Sequence, residues 1–165
     1  DLPVKLTSDG GCLFEVNGGS AQSQGVEIEG NYYITENLQI NLSASYTDAE
    51  FTSDNIAPNG SRLPGAAEIN GAMGLEYNFS LKGQDAYLRS DFYFTDDYLA
   101  AAGDTELLGG HHRVDIRAGI SLDQIDLDIF ARNLTNEDDL VTRFFGNRGW
   151  RVRPRTIGVN MSFKF

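Results

Sequence analysis

Three groups of residues have the types and spacing to do chemistry. Asp126 and Asp128 stand two apart, as do Glu27 and Glu29, so each pair shares one side of an extended chain, where two carboxylates can do general acid–base work. No nucleophile or histidine falls in register with either pair, and no residue is assigned as catalytic. Arg89, Arg113, Arg117 and Arg132 share the polar parity with these acids, so salt-bridge networks are the expected role. His111 and His112 are adjacent; on an extended chain their rings point to opposite faces and cannot chelate one ion, so both read as loop-end residues. No metal or cofactor is expected. The run "NRGWRVRPR" gathers Arg148, Arg151, Arg153 and Arg155, enough to grip a phosphate or carboxylate, although a positively charged strand end is the plainer account. Asn133-Leu134-Thr135 spells a glycosylation sequon, discounted because it ends a strand. "GNRG" is too short for a phosphate loop.

These residues need a scaffold, and composition narrows it. The 165 residues suit one domain or a piece of a larger one. A net charge of −11 excludes nucleic acid as a partner, since no positive field attracts phosphate. Eighteen Gly, seven Tyr and ten Phe suit an all-β protein rich in turns. The mean hydropathy of −0.32 does not imply solubility, because a membrane strand alternates lipid-facing and polar residues and averages low. No apolar run approaches the roughly 18 residues of a membrane helix. The start "DLPVKLTSDGG" lacks Met and a signal-peptide pattern, as in a mature or cut chain. Cys12 is the only cysteine, either a free thiol or the partner of one further upstream.

From about residue 24, segments of roughly ten residues alternate in hydrophobicity, the length with which a tilted strand crosses a bilayer. Val26, Ile28, Tyr32 and Ile34 oppose Glu27, Glu29 and Asn31. Leu38, Ile40, Leu42, Ala44 and Tyr46 follow, then Ile69, Met73, Leu75, Tyr77 and Phe79, then Leu88, Phe92 and Phe94. Val114 to Ile120, Ile125 to Ala131 and Ile157 to Phe165 complete seven clear segments, with "CLFEVN" a doubtful eighth. Short connections alternate with long ones at about 51–65, 96–110 and 135–149, as in outer-membrane barrels with tight periplasmic turns and long outer loops. The polar face collects Glu27, Glu29, Glu68, Glu76, Arg89, Asp91, Arg113, Asp115, Arg117, Asp126, Asp128 and Arg132. Burying so many charges in a packed core costs several kcal/mol each when unpaired, so a wet lumen or a polar plug is expected beside them. Aromatic residues gather near segment ends, Tyr32, Tyr33, Phe79, Phe163 and Phe165 at one level and Tyr46, Phe51, Tyr98 and Trp150 at the other, as two membrane-interface girdles would.

The stretches "NGGSAQSQGVEIEGNYYITENLQINLSASYTDAEF", "RLPG", "FARNLTNED" and "RPRTIGVNMSFKF" resemble the C-terminal part of TonB-dependent outer-membrane receptors, over nearly everything from residue 11 onward. The resemblance implies about seven or eight strands of a 22-stranded antiparallel barrel, residues 1–165 forming its C-terminal part. It implies uptake of a scarce, bulky solute: an iron–siderophore, a cobalamin or an oligosaccharide. The partners it implies are outer-membrane lipid and lipopolysaccharide, the TonB–ExbB–ExbD complex through a plug absent from this sequence, and the barrel-assembly machinery, which would read Phe163 and Phe165 as an assembly signal. The missing plug and early strands read as a C-terminal fragment. The alternative is a complete eight-stranded barrel with a structural or adhesion role, "CLFEVN" supplying the eighth strand. A lipocalin-like soluble barrel fits less well because its interior would be apolar and its exterior polar, and a barrel hydrolase would need a Ser, His and carboxylate in register.

Overall fold

Segments with period-two alternation satisfy their backbone by pairing with neighbours, and seven of them pair here into one antiparallel sheet. The computed structural model describes residues 3–7, 13–17, 19–102, 104–143 and 148–164, the first two stretches by backbone alone. In chain order the strands are β1 Pro3–Thr7, β2 Leu13–Asn17, β3 Ala21–Thr35, β4 Leu38–Phe51, β5 Ile69–Leu81, β6 Gln84–Thr95, β7 Tyr98–Leu99, β8 Leu107–Leu108, β9 His111–Ser121, β10 Ile125–Arg132, β11 Leu140–Arg143, β12 Gly149–Arg151 and β13 Thr156–Phe163. The main sheet runs β13-β10-β9-β6-β5-β4-β3, an up-and-down meander interrupted only by the small hairpins β7–β8 and β11–β12 in its long connections. The expected seven segments are its seven strands. No helix among the described residues is long and apolar enough to cross a membrane.

The doubtful eighth segment does not join this sheet. Residues of β2 pair with β1, Val4 opposite Val16, while Ile157 and Val159 of β13 pair with Ala131 and Ile129 of β10. The closure that a small eight-stranded barrel requires, β2 beside β13, is thus not formed among the described residues, and β3 and β13 are the two edges of an open sheet. The readings of Cys12 and Phe165 lie outside the described residues.

Short turns lie at one end of the sheet. Lys82 (φ 54°) and Gly83 (φ 85°) are both left-handed and join Leu81 to Gln84, the two-residue hairpin geometry whose twist matches that of its strands. Cross-strand register assigns the faces: Glu76 lies opposite Arg89, Asp91 opposite Asp115, Ser121 opposite Asp126 and Asp128 opposite Asn160. Leu42 lies opposite Met73, Leu88 opposite Ala118 and Ile129 opposite Val159 on the other face. One expected apolar position drops out of this row, because a register shift between Tyr33 and Thr35 places Ile34 in a bulge.

Neither face of the sheet carries a core. Val26, Ile28, Leu42 and Met161 are exposed, and Ile157 is 75% exposed. Among the described residues the buried side chains are Ala49, Phe51, Ala57, Ala67, Leu108, Asn133 and Val152 at the long-loop end, with Ala86 alone in the sheet body. This corrects two expected girdle residues. Phe51 is 1% exposed, because the following connection folds back over it, Ser61 O accepting from Phe51 N and Gly60 N donating to Phe51 O. Tyr98 packs between loops and donates to Val141 O. At the short-turn end Tyr32, Tyr33, Tyr77 and Phe163 are exposed, and Tyr77 stacks on Phe79 with centroids 5.6 Å apart.

Candidate functional site

The three long connections form one layer over one end of the sheet, and polar staples join them. Arg62 is the first staple. Its Nη2 donates to Asp97 O at 2.9 Å, and its Nε lies 3.2 Å from Glu68 Oε1, tying loop 52–68 to loop 96–110. Gly65 N donates to Leu99 O at 3.0 Å beside it. Loop 96–110 in turn meets loop 133–155: Gly109 N donates to Leu140 O at 2.9 Å, and Arg143 forms a bidentate pair with Glu106. That pairing holds the Glu106 carboxyl below its usual range, and burial pushes the Tyr98 hydroxyl up.

Asn133 is the second staple and the most connected side chain of the layer. It sits at φ 51°, a left-handed conformation that Asn tolerates better than most residues, and is 1% exposed. Its backbone N–H donates to Asp115 Oδ1 at 2.8 Å, and its Nδ2 donates to Glu137 O and Arg153 O, each at 2.7 Å. Its Oδ1 accepts from Glu137 N at 2.8 Å. The side chain is therefore fully engaged, which leaves the sequon no free amide to glycosylate.

Beneath this layer the polar face deepens into a cleft of about 420 Å³ between β9, β10 and the Arg153–Pro154 segment, lined by Arg113, Arg117, Arg132 and Arg153 together with Asp91 and Asp115. Arg113 Nε lies 3.1 Å from Asp115 Oδ1, without the alignment of a hydrogen bond, and the Arg113 guanidinium sits 4.2 Å from the Tyr93 ring centroid. Arg132 lies 5.0 Å from the Phe130 centroid. Phe130 itself covers Gly158, where a Cβ would come within 2.5 Å of the ring.

Eleven of the twelve charged positions read from the sequence share the polar face of the strands, but they do not form one network. Arg89 pairs with Asp91 at 2.6 Å and Glu76 at 3.1 Å. Asp126 is held by Lys164 at 2.7 Å and Ser121 Oγ at 2.6 Å, whereas Asp128 accepts from Tyr87 OH at 2.6 Å. Each carboxylate of that pair thus has its own partner, and the pair is not arranged for acid–base exchange. Glu27 and Glu29 lie on the edge strand β3, with four strands between it and β10. Glu68 precedes β5 and belongs to the loop layer through Arg62. Among the described residues no carboxylate lies within ion-pair distance of Arg117 or Arg132, so neither is part of a salt bridge within these strands.

His111 Nδ1 donates to Gly109 O at 2.6 Å, while His112 Nε2 lies 3.6 Å from Glu137 Oε2. The two rings have separate partners, and no cluster of metal-ligating side chains occurs among the described residues. The arginine run also divides. Arg151 donates to Asp138 O at 2.7 Å and Arg155 to Leu134 O at 3.4 Å, Arg148 is exposed, and Arg153 alone lines the cleft. Sequence reasoning did not single out Arg62 or Asn133 as staples. Their signals were the "RLPG" and "NLTN" runs, an Arg and an Asn beside turn residues at the foot of a long connection.

Similarity to known proteins matches this architecture. Residues 3–134 match the family described as TonB dependent receptor-like, beta-barrel. No curated protein matches the chain in sequence. Among solved structures, the ferric yersiniabactin uptake receptor FyuA from Yersinia pestis superposes with a TM-score of 0.80 at 16% identity, over 90% of this chain and 24% of that one. The siderophore receptor PiuA from Acinetobacter baumannii gives 0.76 at 18% identity, over 95% and 23%. BauA, the ferric preacinetobactin receptor of the same species, gives 0.77 at 17% identity, over 99% and 26%. At these identities the likeness is one of fold, and the chain spans about a quarter of the length of each structure.

Proposed function

Because the chain belongs to the TonB dependent receptor-like β-barrel family, we propose that it forms part of the wall and outer loops of an outer-membrane receptor that takes up an iron–siderophore complex with energy supplied through TonB. The observation that carries the reading is the two-faced open sheet. One face is predominantly apolar, with exposed apolar side chains on all seven strands, as lipid contact requires, and the other is charged and bordered at one end by a packed loop layer. An open edge in lipid leaves backbone groups unsatisfied at several kcal/mol each, so β3 and β13 are read as pairing with further strands of the same barrel. The polar face then lines the lumen, carrying Glu27, Glu29, Glu76, Arg89, Asp91, Arg113, Asp115, Arg117, Asp126, Asp128 and Arg132, with Glu68 at its rim.

Siderophore cargo is favoured over cobalamin or oligosaccharide because the similar solved structures include a ferric yersiniabactin uptake receptor and a ferric preacinetobactin receptor. TonB–ExbB–ExbD acting through a plug, the assembly machinery reading Phe163 and Phe165, and lipid with lipopolysaccharide around the wall complete the set of partners. The test is uptake of radiolabelled iron by cells expressing the full-length receptor, supplied with a panel of siderophores. Saturable uptake that disappears without TonB is expected. Equal uptake with and without TonB, or none across the panel, would overturn the reading.

A further inference from the structure

We propose that Gly119 and Gly158 are positioning residues for passage of the cargo: notches in the polar face that let Tyr87 and Phe130 lie flat across neighbouring strands and so keep both rings out of the lumen. The proposal rests on the receptor reading above and adds to it the residues that keep the path along this wall clear.

The row Tyr87–Gly119–Asp128 is the first observation. Tyr87 of β6 stands opposite Gly119 of β9, and Gly119 stands opposite Asp128 of β10, so a whole strand separates the tyrosine from the aspartate. Tyr87 OH nevertheless donates to Asp128 Oδ1 at 2.6 Å. The ring reaches it by crossing over Gly119, where a Cβ would lie 2.3 Å from Tyr87 Cε1 and 2.4 Å from Asp128 Oδ1. Both distances are far inside the separation at which non-bonded atoms pack. A single methyl at 119 would occupy the space this strap runs through, and the side-chain ring, rather than the paired backbone of β9, is the part free to move away.

The same arrangement recurs two strands along. Phe130 of β10 stands opposite Gly158 of β13, and a Cβ at 158 would meet Phe130 Cζ at 2.5 Å. On β5, Gly74 gives room to the Arg89–Asp91 pair of β6, since its Cβ would lie 2.8 Å from Asp91 Oδ1 and 3.0 Å from Arg89 Nη2. None of the three glycines has a left-handed backbone. Conformation therefore does not call for glycine here, and glycine inside a strand weakens it unless another group needs the space. A ring laid over a glycine recovers the lost packing. It also has a direction: side chains that would stand roughly perpendicular to the sheet lean from β6 and β10 onto β5, β9 and β13, and the wall stays level.

The experiment uses cells expressing the full-length receptor and the panel of siderophores loaded with radiolabelled iron(III). Gly119→Ala is expected to keep surface binding of the chelate and the heat-resistant folded form in detergent, while maximal uptake falls several-fold because the lifted Tyr87 ring stands in the lumen. Gly119→Ala/Tyr87→Ala removes the obstacle together with the strap, and should recover uptake without recovering stability, a split that a purely structural role would not produce. Gly158→Ala and Gly158→Ala/Phe130→Ala repeat the comparison at the second notch, so poor insertion of one parent variant leaves the other to decide. Wild-type uptake by both Gly→Ala variants, or double variants no better than the singles, would overturn the proposal and leave the receptor reading intact. Loss of chelate binding in step with uptake, or loss of the folded form in both Gly→Ala variants, would overturn it equally, assigning the glycines to binding or to folding. TonB-independent uptake by the wild type would remove both readings.

Discussion

Within β4 the chain changes its way of holding together. Leu42, near the middle of the strand, is 46% exposed, whereas Phe51 at its end is 1% exposed. Leu42 belongs to a wall whose strands are joined chiefly by backbone hydrogen bonds, with its apolar face bare. Phe51 belongs to a loop layer that has a packed centre and polar staples of its own. A membrane wall needs no interior, because lipid covers one face and the lumen is wet. Loops held in a fixed shape need one, since a connection without packing loses conformational entropy with nothing to offset it.

The largest expected effect separates the two regions from the loop side. Phe51→Ala removes the largest fully buried side chain among the described residues, and such truncations cost about 3–5 kcal/mol. The loss should be confined to the layer, seen as faster protease cutting within 52–68 while the wall keeps its resistance to heat in detergent. Simultaneous collapse of the wall would mean that the two regions are one cooperative unit.

From the wall side, Leu42→Arg places a charge on the apolar face and should cost about 2–4 kcal/mol in a bilayer if this position lies near its midplane. Ser43→Arg, its neighbour on the polar face, should cost close to nothing. Denaturant unfolding of both variants in liposomes makes the comparison, and equal costs would remove the assignment of faces.

Asn133→Ala probes a single staple. It leaves Glu137 N and the carbonyls of Glu137 and Arg153 without partners, at about 1–3 kcal/mol. Asn133→Gly, which accepts the left-handed backbone but supplies no amide, should recover only part of that loss. Full recovery in Gly would show that backbone conformation rather than the side-chain hydrogen bonds is what matters there. Protease sensitivity of loop 133–155 is the readout.

The smallest effect is one of pH. Glu106 titrates below its usual range because Arg143 bonds its ionised form. Its contribution is therefore complete above the ordinary Glu range and is lost as pH falls through the lowered folded-state value. Glu137 has the opposite sign, raised mainly by the hydrogen bond it shares with Asp139 and then by burial, so its contribution is complete below the ordinary Glu range and is lost as pH rises through the raised folded-state value. Glu106→Gln should abolish the acid-side loosening between loops 96–110 and 133–155 in hydrogen-exchange measurements, leaving the Glu137 dependence in place.

The wall was legible because its two rules are local. Side chains alternate along a strand whatever its neighbours, so Ile40 and Asn41 reveal opposite faces before any pairing is known, and Lys82-Gly83 announces its own tight turn. The loop layer was not legible. Phe51 and Tyr98 look like girdle aromatics by position along the chain, and only the fold-back of residues 52–68 and the meeting of Tyr98 with Val141 turn them inward. The arginines show the same division. Their placement on one face follows from parity, but parity cannot distinguish Arg89, which finds Asp91 beside it, from Arg132, which finds none. The sequence by itself determined an all-β chain of seven two-faced strands with short turns at one end and long loops at the other, because period and turn chemistry act within a few residues. Tertiary structure alone decided that "CLFEVN" stays out of the sheet, that the loops share a core, and that Arg153 returns to stand beside Arg132, because each depends on groups far apart in sequence whose meeting no local pattern encodes.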